Sequence, residues 1–161
     1  MAIQPGDRLP DVKLKKLTAD GIQDVSIGDL TAGKKVVLFA VPGAFTPTCS
    51  ERHLPGFLEQ ADAIRAKGVD AIVCIAVNDP FVMSAWAKER QVDDKIELLS
   101  DGNGEFTTAI GMDFDGSGFG LGTRSRRYAM IVEDGVVKAL FVDDVPSQAE
   151  KSSAQAVLAA L

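Results

Sequence analysis

Cysteine is nearly missing from this chain. It occurs twice in 161 residues, too seldom to knit a disulfide scaffold. Histidine occurs once, with no Cys-x-x-Cys or His-x-x-x-His pair, so the ligands of a zinc-type metal centre cannot be assembled. Long apolar runs are missing too. The stretch from Val69 to Val77 is broken by Asp70, whereas a membrane-spanning helix needs about 20 apolar residues. Basic charge is scarce: 17 Lys and Arg face 23 Asp and Glu, for a net charge of -6. That balance argues against nucleic acid as a partner, since non-specific affinity comes from clustered cations. The one local exception is Arg124, Arg126 and Arg127. There is no Walker A loop. The glycines at 116, 118, 120 and 122 do not fit G-x-G-x-x-G, nor do they open a helix. The N-terminal stretch Met1 to Asp7 has neither a basic region nor an apolar core. This predicts no secretory signal, and a reducing, cytoplasmic setting follows as the expectation.

What is present reads as a single globular domain over residues 1–161. Its 46% hydrophobic and 25% charged residues are ordinary for one core of this size. Residues 1–33 read as turn-rich, with Pro5-Gly6, Asp20-Gly21 and Gly28-Asp29. Val36 to Val41 is apolar throughout and stops at Pro42-Gly43, which predicts a strand buried on both faces. Leu54, Phe57, Leu58, Ala61 and Ile64 then fall at helical spacing, with Pro55-Gly56 predicting a kink. Val69 to Val77 predicts a second buried strand. Asp79 and Pro80 read as the cap and first position of a helix whose apolar face is Phe81, Val82, Ala85 and Trp86. Ile96 to Leu99 predicts a short strand, Gly104 to Gly111 a short helix, and residues 113–123 the most flexible stretch. Asp134-Gly135 between two apolar runs is a hairpin signal, and Ala154, Val157, Leu158 and Leu161 mark an amphipathic C-terminal helix. Strands alternating with helices imply parallel pairing, and the hairpin adds antiparallel strands. The expected class is α/β: a central mixed sheet with helices on both faces, of the thioredoxin-like kind.

Chemistry concentrates at Cys49. A buried strand ends, a Pro/Gly turn follows, and the cysteine arrives as a helix begins. The unpaired N–H groups of a first helical turn favour an anion there, and the thiolate is the nucleophilic form of cysteine. The polar neighbours Thr46, Thr48, Ser50 and Glu51 weigh against an inert core thiol. Cys74 is the opposite case, mid-strand between apolar neighbours. His53 follows Cys49 by one helical turn and can face the same side. It is either a general base or a pocket wall.

Pro42, Thr46 and Cys49 match the P-x-x-x-T-x-x-C motif of peroxiredoxins. The wider string PGAFTPTCSERHLPGF resembles that of the type II, atypical two-cysteine group. So do residues 69–86, residues 120–140 and the early PGDRLPDV. The resemblance spans nearly the whole chain. It implies a thiol peroxidase that needs no metal or cofactor. It implies Cys49 as the peroxidatic residue, Thr46 as a hydroxyl aimed at thiolate and peroxide, and Arg127 as the active-site arginine. Pro42 and Gly43 would shape the substrate pocket beside His53. Spacing alone cannot choose Arg127 over Arg124 and Arg126, and Thr46 could equally be a helix cap. Cys74 is either a core residue or a resolving thiol, whose disulfide would need Cα atoms within about 7 Å and hence local unfolding. The implied partners are a peroxide, then glutathione with glutaredoxin or thioredoxin as reductant, and a second copy of the chain in a homodimer touching Phe45, Phe81, Phe119 and Leu121. Two other readings compete: a cysteine hydrolase using His53 as base, and a redox sensor oxidised once at the same cysteine.

Overall fold

The computed structural model describes residues 2–161. Strands β1 (Lys13–Thr18) and β2 (Gly21–Ser26) open the fold as a hairpin, followed by the short helix α1 (Ile27–Thr31). The next elements are β3 (Lys35–Ala40), a π turn (Cys49–His53) running into α2 (Leu54–Arg65), β4 (Ala71–Ala76), α3 (Pro80–Glu89), β5 (Glu97–Ser100) and α4 (Glu105–Ala109). A small arm of β6 (Asp113–Asp115) and β7 (Thr123–Ser125) precedes β8 (Tyr128–Glu133), β9 (Val136–Val142) and α5 (Ala154–Ala160). Seven strands form one mixed sheet in the order β2-β1-β5-β4-β3-β8-β9. β3, β4 and β5 are parallel neighbours, and β8 lies antiparallel to β3.

Strand alternation splits the core in two. Val37, Phe39, Ile72 and Cys74 face α2, α3 and α5 on one side of the sheet. Val36, Leu38, Val73 and Ile75 pack with Ile27 of α1 and Phe106 of α4 on the other. The central strands bury both faces, which is why they read as unbroken apolar runs rather than alternating ones.

The expected mixed sheet, flanked on both faces, is what forms. Four local expectations change. Residues 1–33 hold a regular hairpin, missed because Lys13, Lys15 and Lys16 hide the alternation and only Leu14 of the two strands is fully buried. The stretch 113–123 is a strand pair with a 3-10 turn at Ser117–Phe119. A Cβ at Gly116 would lie 2.9 Å from the Gly122 carbonyl, so glycine there lets the two strands meet. On α3 the buried residues are Met83 and Trp86, while Phe81 is 60% exposed. Pro55 lies in the first turn of α2, and the interruption is the π turn before it. Leu54 N–H donates to the Cys49 carbonyl five residues back. Proline brings no N–H to the ladder and its ring crowds the carbonyl four residues earlier, so the widened turn absorbs the misfit.

Two local signals hold as read. The Asp79 side chain accepts from Val82 N–H at 2.8 Å, a cap worth about 1 kcal/mol. In the β8–β9 turn, Asp134 and Gly135 both take positive φ, +49° and +77°, the signature of the turn type that matches strand twist.

Candidate active site

β3 ends inside the sheet, and residues 41–46 carry the chain over its C-terminal edge to the helical stretch that begins at residue 47. Pro42 and Gly43 are buried in that loop. Phe45 holds φ at +66°, a left-handed conformation that costs a side-chain-bearing residue about 1 kcal/mol. Asn78 pins the loop from the side, its Oδ1 accepting from Ala44 N–H at 2.9 Å. A Cβ at Gly43 would sit 3.0 Å from Arg124 Nη1 and 3.2 Å from Thr46 Cγ2, so glycine lets both side chains close over the loop.

Cys49 opens the π turn and is wholly buried and unpaired. Arg127, immediately before β8, donates from Nη2 to Cys49 Sγ at 2.9 Å. The three arginines that spacing could not separate are separated by their surroundings. Arg127 is 2% exposed. Arg124 is half-buried and donates from Nε to the Leu121 carbonyl at 2.9 Å; Arg126 is also half-buried. A buried guanidinium is costly unless its donors are met, and those of Arg127 have defined acceptors. Nε and Nη2 both reach the Pro146 carbonyl, at 3.1 and 3.0 Å, and Nη1 reaches His53 Nδ1 at 3.0 Å.

These contacts fix the state of His53. Arginine can only donate, so Nδ1 must offer a lone pair. A carbonyl can only accept, so Nε2, which lies 2.9 Å from the Ser152 carbonyl, must carry the hydrogen. The ring is neutral, in one tautomer. Burial first, and the Arg127 charge second, push its pKa down to about 3. His53 is therefore no general base toward Cys49; it is the acceptor that holds Arg127.

Behind His53 lies a group of residues that the sequence did not single out. Ser152 Oγ lies 3.2 Å from His53 Nε2 and donates its own hydrogen to Asp143 Oδ2. Asp143 is buried just past β9. Its Oδ1 accepts from the N–H groups of Glu150 and Lys151 at 3.1 and 2.9 Å, and its Oδ2 from Ser152 N–H at 3.2 Å. Burial alone would raise its pKa, but these bonds, led by the Ser152 hydroxyl, bring it below the ordinary carboxylate value. No sequence signal marks this role, since sequence does not say which of the adjacent carboxylates Asp143 and Asp144 turns inward.

Thr46 lies between the Pro42-Gly43 turn and Cys49, and its hydroxyl donates to the Gly43 carbonyl at 2.7 Å, which leaves its oxygen lone pairs rather than its hydrogen for other partners. Ser50 beside Cys49 accepts from Trp86 Nε1 at 2.9 Å, which ties the π turn to α3. Cys74, mid-β4, pairs in register with Phe39 and Leu98 and is wholly buried. Burial, and then the neighbouring Cys49 charge, push its thiol well above the ordinary cysteine value.

A buried thiol that accepts a hydrogen bond from a guanidinium at the start of a helical turn points to a class, the enzymes that work through a cysteine. Comparison with known proteins makes the class specific. The Redoxin family model matches residues 4–158. Peroxiredoxin-2E, a chloroplastic protein of Arabidopsis thaliana, is 51% identical over 99% of this chain and 70% of its own length. Peroxiredoxin-2C of rice is 48% identical over 97% of this chain and 96% of its own length. The crystal structure of reduced Prx3 from Vibrio vulnificus in complex with hydrogen peroxide superposes with a TM-score of 0.93 at 51% identity, covering 98% of each chain. The chain belongs to the Redoxin family, as a peroxiredoxin of the type II group. It is a thiol peroxidase with an antioxidant function.

Proposed function

We propose that Cys49 is the peroxidatic residue, that Arg127 is its electrostatic partner, and that an external thiol completes the cycle. The observation that carries this reading is the Arg127 Nη2 to Cys49 Sγ contact of 2.9 Å between two buried side chains. A fixed cation at that sulfur is already in place when negative charge moves in the transition state and needs no reorganisation. The thiolate attacks one peroxide oxygen, the O–O bond breaks, and the leaving oxygen takes up a proton to depart as water or an alcohol. Sulfur is oxidised to sulfenic acid and the peroxide is reduced. Hydrogen peroxide and alkyl hydroperoxides both fit this step. Thr46 has committed its hydroxyl hydrogen to Gly43, so its oxygen lone pairs serve as acceptors for the peroxide O–H.

The buried Cys74 thiol is held protonated, and thiol exchange needs a thiolate. That supports reduction of the sulfenic acid by glutathione with glutaredoxin, or by thioredoxin, ahead of resolution by Cys74. In the first step a thiol displaces water from sulfur to form a mixed disulfide; a second thiol then releases Cys49. The exposed rings of Phe45, Phe81 and Phe119 support a homodimer across the loop side of the site, with Leu121 at its edge. Single-domain action over 1–161 fits a family match spanning 4–158. Cytoplasmic placement remains our reading for this chain, beside plant relatives that are chloroplastic.

The test is Cys49→Ser in a coupled peroxidase assay. Thiol-dependent peroxide consumption is expected to disappear, and turnover equal to the parent would reject the assignment. A redox sensor with the same cysteine would be oxidised once and would not cycle with glutaredoxin or thioredoxin.

A further inference from the structure

Arg127 has an unusual set of partners for a buried cation. Apart from the Cys49 sulfur they are neutral acceptors: the Pro146 carbonyl and the His53 ring. Among the described residues no carboxylate forms an ion pair with it. A carboxylate in van der Waals contact would compete with the thiolate for the guanidinium. A neutral imidazole holds the fork in place and leaves its charge for sulfur. That works only while Nδ1 presents a lone pair. A hydrogen on Nδ1 would point at Arg127 Nη1, donor against donor.

We propose that Asp143 and Ser152 are positioning residues for peroxide reduction, acting by locking His53 in the Nε2–H tautomer and so aiming Arg127 at Cys49. Asp143 draws in the N–H groups of residues 150, 151 and 152. That turn sets the Ser152 carbonyl against His53 Nε2 at 2.9 Å. The Ser152 hydroxyl, donating to Asp143, offers its oxygen to the same Nε2–H. Both oxygens at that nitrogen are acceptors, so hydrogen on Nε2 is favoured and Nδ1 stays bare. The same segment supplies the Pro146 carbonyl that takes two further Arg127 donors. The Asp143 carboxylate thus orders the turn that sets His53, while the Asp143 backbone N–H donates to the Arg127 carbonyl at 3.0 Å. This inference rests on the Cys49 and Arg127 reading above and extends it by three side chains.

His53 is the only histidine in the chain, so its ring can be read without assignment ambiguity in full-length reduced protein labelled with nitrogen-15 histidine. Long-range proton–nitrogen spectra of the parent should show one protonated Nε2 and one bare Nδ1 at neutral pH. A parent ring protonated at Nδ1, or averaged between tautomers, overturns the proposal without any variant. Asp143→Ala should mix the tautomers and lower kcat/KM for hydrogen peroxide about 10- to 100-fold, as loss of an orienting outer partner does elsewhere. Ser152→Thr, which keeps the hydroxyl, should stay near the parent in both readouts; Ser152→Ala should shift both in the Asp143→Ala direction and serves if Asp143→Ala does not fold. A folded Asp143→Ala or Ser152→Ala that loses rate with an unchanged ring spectrum, or mixes tautomers at full rate, also overturns it. Failure of the underlying reading would show differently, as turnover surviving Cys49→Ser, which the ring spectrum does not report.

Discussion

Cys49 and Cys74 are equally hidden, both at 0% exposure and both unpaired, yet their surroundings are opposite. Cys74 stands in β4 between Phe39 and Leu98, and burial holds its proton on. Cys49 begins a helical turn and receives a hydrogen bond from a guanidinium. Burial in hydrocarbon holds a thiol inert, whereas a fixed cation beside a buried sulfur supplies the electrostatic partner that a nucleophilic role requires. Depth alone therefore says little about a cysteine. The identity of the donor that shares the depth decides.

The strongest way to break this comparison is to exchange the losses. Cys49→Ser should abolish peroxide turnover, whereas Cys74→Ser should leave the first oxidation of Cys49 at the parent rate. Stopped-flow consumption of hydrogen peroxide by the reduced proteins checks both. Equal losses in the two variants would dissolve the contrast.

Next in size is the removal of the cation. Arg127→Ala should lower kcat/KM about 10²- to 10³-fold, the usual cost of a preorganised donor. It should also destabilise the fold, because it strands the Pro146 carbonyl and His53 Nδ1 without their donors. Arg127→Lys keeps the charge but cannot reach three acceptors from one planar fork, so most of the rate should stay lost. Urea titration with peroxidase assay separates the two effects.

A smaller effect follows from His53, which supports one cysteine and not the other. Its folded pKa of about 3 lies below the ordinary value of 6.5. The unfolded chain therefore binds a proton that the folded one refuses. Its contribution to stability is complete above pH 6.5 and is lost as pH falls from there toward 3. The depressed Asp143 carboxyl adds the same sign of dependence only as pH falls below the ordinary 3.8. Unfolding midpoints measured from pH 7 to pH 4 should fall in the parent and fall less steeply in His53→Gln. Parallel curves would mean that His53 is not held neutral.

The smallest effect belongs to Cys74 as a packing residue. Cys74→Ala should cost about 1 kcal/mol, an ordinary price for a small core truncation, with the rate of Cys49 oxidation unchanged. Thermal melts and the same stopped-flow assay check it.

The uneven legibility of the site has a physical cause. Cys49 stands out in the sequence as a candidate because its neighbours in space are also its neighbours in sequence: strand, Pro42-Gly43 turn, Thr46, helix start. The hairpin at Asp134-Gly135 and the Asp79-Pro80 helix start are local in the same way. Arg127 needed a family likeness, since only burial distinguishes it from Arg124 and Arg126. Asp143 and Ser152 were invisible. They lie 94 and 103 residues from Cys49 in the chain, and nothing in an aspartate or a serine announces a partner across the fold. Phe81 was misjudged because helical spacing assigns a face, while the sheet decides which face is covered.

The most direct test of the account is to weigh the intact reduced protein within a second of adding one equivalent of hydrogen peroxide. A gain of about 16 Da trapped on Cys49, with Cys74 still open to alkylation after denaturation, is the predicted result. A loss of about 2 Da with both thiols blocked would make Cys74 the resolving partner. That outcome, or no change in mass, would contradict the claim that only one of the two buried cysteines is chemically awake.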